Sequence, residues 1–293
     1  MILVTGATGN VGRHLVRELT ALGAATRALV RETSDVSELS ELGIEVAVGA
    51  FEDPDALREA CAGAERVFLL SPPGAATLVA QQLPVVAAAR ASGTVRYVVK
   101  LSSIAADEPS PPAIVAAHRR IEEEIEASGV AWTHLRPNWF MQNELGQADS
   151  VASDGIFYAP DVATVSMVDA RDVAAVAARV LTSGGHEGKA YTLTGPEPLG
   201  YGDVAATYSR VLGRAVRWQE VTFEQARASM LGAGLPDELA GGFAAIMRRY
   251  RDGGVTAEVS PEVERLLGRE LTTFERFIRD HRHTYRARDD VAA

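Results

Sequence analysis

One cysteine, two lysines and no long apolar run set the first limits on this chain of 293 residues. A lone thiol, Cys61, excludes an internal disulfide and any multi-cysteine metal site. Its position four residues after Leu57 in a helical pattern reads as core rather than nucleophile. No stretch approaches the ~20 apolar residues that cross a bilayer, so no membrane partner is expected. Positive charge is scarce too: the formal net charge is −10, which argues against a nucleic-acid partner. HExxH, GxSxG and clustered His/Asp ligands are missing, so neither a metal site nor serine-hydrolase chemistry is expected. Strand residues begin at Ile2-Leu3-Val4, and a cytoplasmic protein without a leader is the expectation.

With 47% hydrophobic residues, the chain has enough to bury a full core. Short β-like runs recur at 2–5, 25–30, 46–48, 66–70, 96–101 and 130–135. Helical patterns separate them; the first places Val11, Leu15, Leu19 and Leu22 on one face and ends at Gly23. Asp53-Pro54 reads as a cap followed by proline at the first helical position. Pro84 predicts a kink or break in the helix near 75–91. Strands alternating with helices, several of them apolar throughout, predict a parallel sheet covered on both faces. The stretch 164–181 reads as a strand and helix that rejoin this sheet, while turn-rich segments from 186 predict a smaller lobe over its carboxyl edge. His281 and His283, in the polar tail, read as solvated.

The opening MILVTGATGNVGRHL carries GxxGxxG between a strand and a helix, the context in which that spacing has meaning. Gly6 permits the tight turn, Gly9 lets the backbone approach a pyrophosphate, and Gly12 lets the helix pack closely. The diphosphate would then meet unpaired N–H groups at a helix N-terminus. Selection for NAD usually ends the second strand with an acid that accepts from the ribose 2′-hydroxyl. Here ALVRETSD puts Arg31 in that place, a forked cation suited to a 2′-phosphate, with Glu32 beside it. NADP(H) is the expected cofactor.

TGATGNVG, ALVR, VFLLSPP, YVVKLSS, HRRIEEEIEASGVAWTHLRPNWFMQN and VDARDVA together resemble the NmrA-like branch of atypical short-chain dehydrogenases/reductases. The resemblance runs through residues 1–181 and weakens beyond. It implies a Rossmann-type doubly wound parallel sheet (1–150, rejoined by 164–181) and a smaller C-terminal α+β substrate lobe (186–285). Among the branch, type 2 NAD(P)H:quinone oxidoreductases match best; other members bind dinucleotide to sense redox state. Carried onto this chain, Gly6, Thr8, Gly9, Asn10, Val11 and Gly12 form the phosphate loop, and Arg31 contacts the adenosine phosphate. Ser71 and Pro72 lie along the ribose. Lys100, Ser102 and Ser103 end the fifth strand near the nicotinamide. Pro137, Asn138, Trp139 and Phe140 line the nicotinamide and substrate side. Where many relatives carry Gly-Asp after the third strand, this chain has Gly49-Ala50, leaving adenine to Phe51 or backbone groups.

Ordinary short-chain reductases protonate their product from a Tyr-x-x-x-Lys helix, with glutamate often four residues after the lysine. Taking Glu122 as that mark puts Ile114 in the tyrosine position and His118 in the lysine position. YxxxK occurs nowhere in the chain. His118 either relays a proton at the ribose or pairs with Glu122 one turn on. Lys100 either holds the ribose or caps the sheet edge; together they are the catalytic candidates. Ser103, Trp139 and Phe140 are substrate candidates, the aromatics alternatively plain core. The EEEIE run reads as a solvated face. Quinone reduction needs an acid least, because charge spreads through the ring. The expectation is an NADPH-dependent reductase of a small conjugated acceptor, aromatic or quinonoid, with an oligomer open. The alternatives are a non-catalytic NADP(H) sensor or a reductase of an imine, enone or polyketide intermediate.

Overall fold

The computed structural model describes residues 1–252 and 257–285. Its first half runs β1 (Ile2–Thr5), α1 (Gly12–Ala21), β2 (Thr26–Val30), α2 (Ser37–Glu41), β3 (Glu45–Val48), α3 (Pro54–Cys61), β4 (Arg66–Leu69), α4 (Ala75–Ala91), β5 (Tyr97–Leu101), α5 (Ala113–Ala127) and β6 (Ala131–Pro137). A 3-10 segment, Met141–Gln147, leads into α6 (Ala148–Asp154), β7 (Ile156–Ala159), α7 (Ala170–Thr182) and β8 (Lys189–Leu193). Then come α8 (Tyr201–Leu212), β9 (Arg217–Glu220), α9 (Phe223–Gly232), α10 (Asp237–Arg251), α11 (Glu262–Leu267), α12 (Phe274–Asp280) and a final 3-10 turn, Arg282–Tyr285.

Seven strands form one parallel sheet in the order β3-β2-β1-β4-β5-β6-β8. Its central strands are buried along their length, which is why β1 and β5 read as unbroken apolar runs interrupted only by Thr5 and Lys100. Helices flank it: α1 packs against α7, and α3, α4 and α5 pack in series. Asp53 caps α3 by accepting from the N–H groups of Asp55 and Ala56, with Pro54 at the first position. Cys61 is buried at the end of that helix, and burial pushes its thiol up to about 11, so it is a core residue.

Two compact units result. The first comprises 1–137, 170–193 and 265–268; the second comprises the described residues of 138–169, 194–264 and from 269 on. The boundary expected at 150 therefore falls at Pro137. Met141, Val151, Phe157, Val165 and Met167 bury themselves with Tyr208 and Phe274 in the second unit's core, which draws 138–169 out of the sheet unit. The strand expected within 164–181 does not form; Val165 and Val168 make only isolated bridges, to Leu199 and Phe140. The strand that joins the sheet is β8, beyond the expected boundary at 186, paired with β6 from Thr133↔Lys189 to Pro137↔Leu193. In the second unit, β7 and β9 form a two-stranded parallel sheet.

Three local expectations are also corrected. Pro84 does not break α4, which runs through it with Leu78, Gln82, Val85, Val86 and Ala89 buried, so packing outweighs one lost hydrogen bond. Leu22 is exposed, because α1 stops at Ala21 and the chain turns through Gly23. His281 is not simply solvated: its ring lies 4.3 Å from that of Phe277. The tail beyond Tyr285 lies outside the described residues.

Candidate functional site

In the sheet unit, strand order reverses between β1 and β4, the position at which doubly wound sheets bind ligands. Thr5 ties the two strand ends together: its hydroxyl donates to the Leu70 carbonyl at 2.7 Å and accepts from the Leu70 N–H at 2.8 Å. The glycine turn closes over this point. Gly6 has φ +66°, and a Cβ there would lie 2.9 Å from Leu70 Cγ. A Cβ on Gly12 would lie 2.0 Å from the Gly6 carbonyl, so α1 can start this close to the turn only without a side chain. Thr8, Gly9 and Asn10 face solvent, whereas the side chain of Val11 belongs to the core. Arg31 directly follows β2, is exposed, and makes no ion pair with Glu32 among the described residues. Ser71 is buried after β4 and its Oγ accepts from Gln82 Nε2 at 3.1 Å, while Pro72 is exposed.

The two catalytic candidates meet. Lys100 is fully buried in the middle of the sheet, not at its edge, and its Nζ lies 3.0 Å from His118 Nδ1 on α5. Nζ also donates to the Leu101 carbonyl at 3.0 Å. Burial lowers the Lys100 pKa to about 7, with Glu122 opposing. Burial and the nearby Lys100 keep the His118 imidazole neutral, well below its ordinary range. His118 therefore pairs with Lys100 rather than with Glu122. Ser102 is buried past the end of β5, with its hydroxyl helping to lower the Glu122 carboxyl, and Ser103 donates to the Ile104 carbonyl at 3.2 Å.

Glu122 is the residue that sequence reasoning misjudged. The EEEIE run is a solvated face at Glu123 and Glu124, but Glu122 is fully buried. It accepts from Arg136 Nε at 3.1 Å and from Arg136 Nη2 at 2.8 Å, and Asp107 accepts from Arg136 Nη1 at 2.7 Å. Burial pushes the Glu122 carboxyl up, but the Arg136 bonds and charge outweigh it and hold it below its usual range. Glu122, Glu126 and His134 bring ligand-type atoms within 4.8 Å of one another. Arg119 and Arg136 already engage both carboxylates, so the cluster is an ion-pair network rather than a cation cage.

In the second unit, Asn138 is buried and its Oδ1 accepts from the Trp139 N–H at 2.8 Å and from the Tyr250 hydroxyl at 3.3 Å. Trp139 and Phe140 are half-buried. Trp139 Nε1 donates to Glu144, a residue that sequence reasoning did not single out; a lone glutamate in NELG carries no spacing signal.

The sheet unit's residues fit a dinucleotide on two grounds: a cradle no Cβ would allow, and at Arg31 an exposed cation with no ion pair among the described residues. The chain matches the NmrA-like family over residues 1–278 and belongs to it. Among its relatives is an NAD(P)H azoreductase of Xenophilus azovorans, 36% identical over 286 residues, covering 96% of this chain and 98% of the relative. A (4-alkanoyl-5-oxo-2,5-dihydrofuran-3-yl)methyl phosphate reductase of Streptomyces griseus is 39% identical, covering 97% and 99%. The crystal structure of an Escherichia coli NADPH-dependent quinone oxidoreductase complexed with NADPH superposes with a TM-score of 0.86, at 29% identity, covering 97% of this chain and all of that one. Among the described residues no helix is long and apolar enough to cross a membrane.

Proposed function

We propose that the protein is an NADPH-dependent reductase of a flat conjugated acceptor, with quinones the leading class. The observation that carries this reading is the glycine cradle at the strand-order switch, followed across β2 by the unengaged Arg31. The activities of its relatives support it: azo reduction, reduction of an unsaturated lactone and quinone reduction all deliver electrons to conjugated systems.

When bound, NADPH supplies the hydride. The phosphate loop Gly6, Thr8, Gly9, Asn10, Val11 and Gly12 holds its diphosphate, and Arg31 its 2′-phosphate. Ser71, Pro72, Ser102 and Pro137 lie along the ribose and nicotinamide. Asn138 lies with Pro137 on the nicotinamide side, and Trp139, Phe140 and Ser103 contact the acceptor. Without a tyrosine acid, Lys100 and His118 form a relay: His118 gives its Nε2 proton to the reduced acceptor, and Lys100 returns one to Nδ1. A lysine whose pKa has fallen to about 7 is poised for that exchange at neutral pH.

A second reading is favoured by the Streptomyces relative: the acceptor is an α,β-unsaturated lactone or ketone rather than a quinone. One assay decides between them. Purified protein is given NADPH, or NADH in parallel, with a panel of quinones, azo dyes and butenolides. Turnover with NADPH on quinones supports the first reading, and turnover confined to butenolides supports the second. Tight NADPH binding with no turnover on any acceptor would overturn both and favour a sensor.

A further inference from the structure

The segment Met141–Gln147 carries a carboxyl into an apolar setting. Glu144 is 4% exposed, and its Oε1 accepts from the indole Nε1 of Trp139 at 2.9 Å. The titratable groups acting on it from neighbouring elements are tyrosines: Tyr201 and Tyr208 on α8, and Tyr285. The Tyr208 hydroxyl lies 3.4 Å from the Glu144 backbone carbonyl and 3.2 Å from the Tyr285 hydroxyl. No ion pair reaches Glu144 among the described residues, and its second carboxyl oxygen makes no hydrogen bond there. A leucine would fill such a place at no desolvation cost, so the carboxyl needs a reason.

The indole is the reason. Trp139 is gripped edge-to-face by Phe243, at 5.7 Å and 74°, and by Tyr250, at 6.2 Å and 79°, both on α10. Those contacts act on the ring's faces and edges, and the hydrogen bond from Nε1 adds a directional constraint on its rotation. We propose that Glu144 is a positioning residue, whose carboxyl holds the Trp139 indole in the plane against which a flat conjugated acceptor stacks. This rests on the reading that Trp139 contacts the acceptor. Burial pushes the Glu144 carboxyl up to about 7, with the Trp139 bond opposing. The bond therefore changes character within the working pH range, and acceptor binding changes with it.

Indole N–H resonances of 15N-tryptophan-labelled protein test the bond without any assay of activity. Three are expected, from Trp132, Trp139 and Trp218, with Trp139 assigned through W139F. Trp218 Nε1 donates to the Ala159 carbonyl at 2.9 Å and serves as an untitrated control. The Trp139 signal should move with one midpoint near pH 7, and E144Q should abolish the movement. A flat Trp139 signal, or the same midpoint in E144Q, overturns the proposal. In steady-state kinetics, E144L should raise the acceptor KM ~tenfold, the loss of one hydrogen bond, while NADPH affinity holds. E144Q should restore most of that loss and remove its pH dependence. An equal weakening of NADPH binding by E144L would mark a merely structural role and overturn the proposal. If W139F leaves the acceptor KM where it was while the midpoint near 7 stands, the acceptor-wall reading fails and the proposal with it, though the bond is real.

Discussion

Two glutamates in this protein are equally hidden and titrate in opposite directions. Glu122 in the sheet unit and Glu144 in the second unit are 0% and 4% exposed. Burial pushes both carboxyls up, but Glu122 receives two hydrogen bonds from Arg136 and ends below its usual range. Glu144 receives one indole N–H, has no cation beside it among the described residues, and ends near 7. Burial alone does not decide the charge of a carboxyl; the partner supplied by the neighbouring element does. The first arrangement is a permanent ion pair that ties α5 to β6. The second keeps a proton available at neutral pH.

The largest expected effect breaks the first arrangement. Arg136→Leu leaves the buried Glu122 with only the longer 3.4 Å contact from Arg119, at a cost of ~3–5 kcal/mol in unfolding free energy, measured by urea denaturation at pH 7. The double variant E122L/R136M should recover most of that loss, because apolar replacement of a buried pair is often neutral. A single and a double variant of equal stability would show that the pair carries no such strain.

Next in size is the Glu144 proton itself. Its folded pKa, about 7, lies above the ordinary 4.5, so its stabilising contribution is complete below pH 4.5 and lost as pH rises through 7. Glu144→Gln cannot ionise and should therefore gain stability over the parent between pH 5 and 8. The gain is on the order of 3 kcal/mol at pH 8, about 1 kcal/mol at pH 5, and vanishes only below about pH 4. Thermal melts across that range check it; a gain that is constant with pH would mean that Glu144 does not titrate there.

The buried lysine extends the comparison to a cation with no carboxylate bonded to it. Lys100 keeps its proton only below about 7. In the proposed relay, kcat/KM falls as pH rises through that value, and Lys100→Met should lower kcat/KM ~100-fold and remove the step. A pH profile unchanged in the variant would assign the titration elsewhere. Smallest is the exposed end of the scale. Arg31→Ala should reduce the NADPH-to-NADH affinity ratio ~tenfold, about 1.4 kcal/mol, read as two Kd values by fluorescence titration. An unchanged ratio would remove Arg31 from cofactor selection.

The difference between the two glutamates also marks where the sequence could be read. The glycine loop, six strands of the sheet and the Asp53-Pro54 cap were legible, because spacing, apolar runs and capping act within a few residues. Lys100 and His118 were each visible, but their 3.0 Å contact was not, since a strand and the following helix bring them together. Glu122 looked like one more surface acid in EEEIE, and only the return of β6 with Arg136 beneath α5 shows that it is buried. Glu144 and the placement of β8 beside β6 carried no local signal at all.

By itself, then, the sequence determined the alternation of strand and helix, the phosphate-type turn and the cation after β2, each set by backbone sterics and side-chain chemistry within a short window. Tertiary structure decided which of the acids keep a proton, which lysine loses one, and which segment leaves the sheet for the second core. Those outcomes depend on desolvation and on partners far apart along the chain, and neither is encoded in any one stretch of residues.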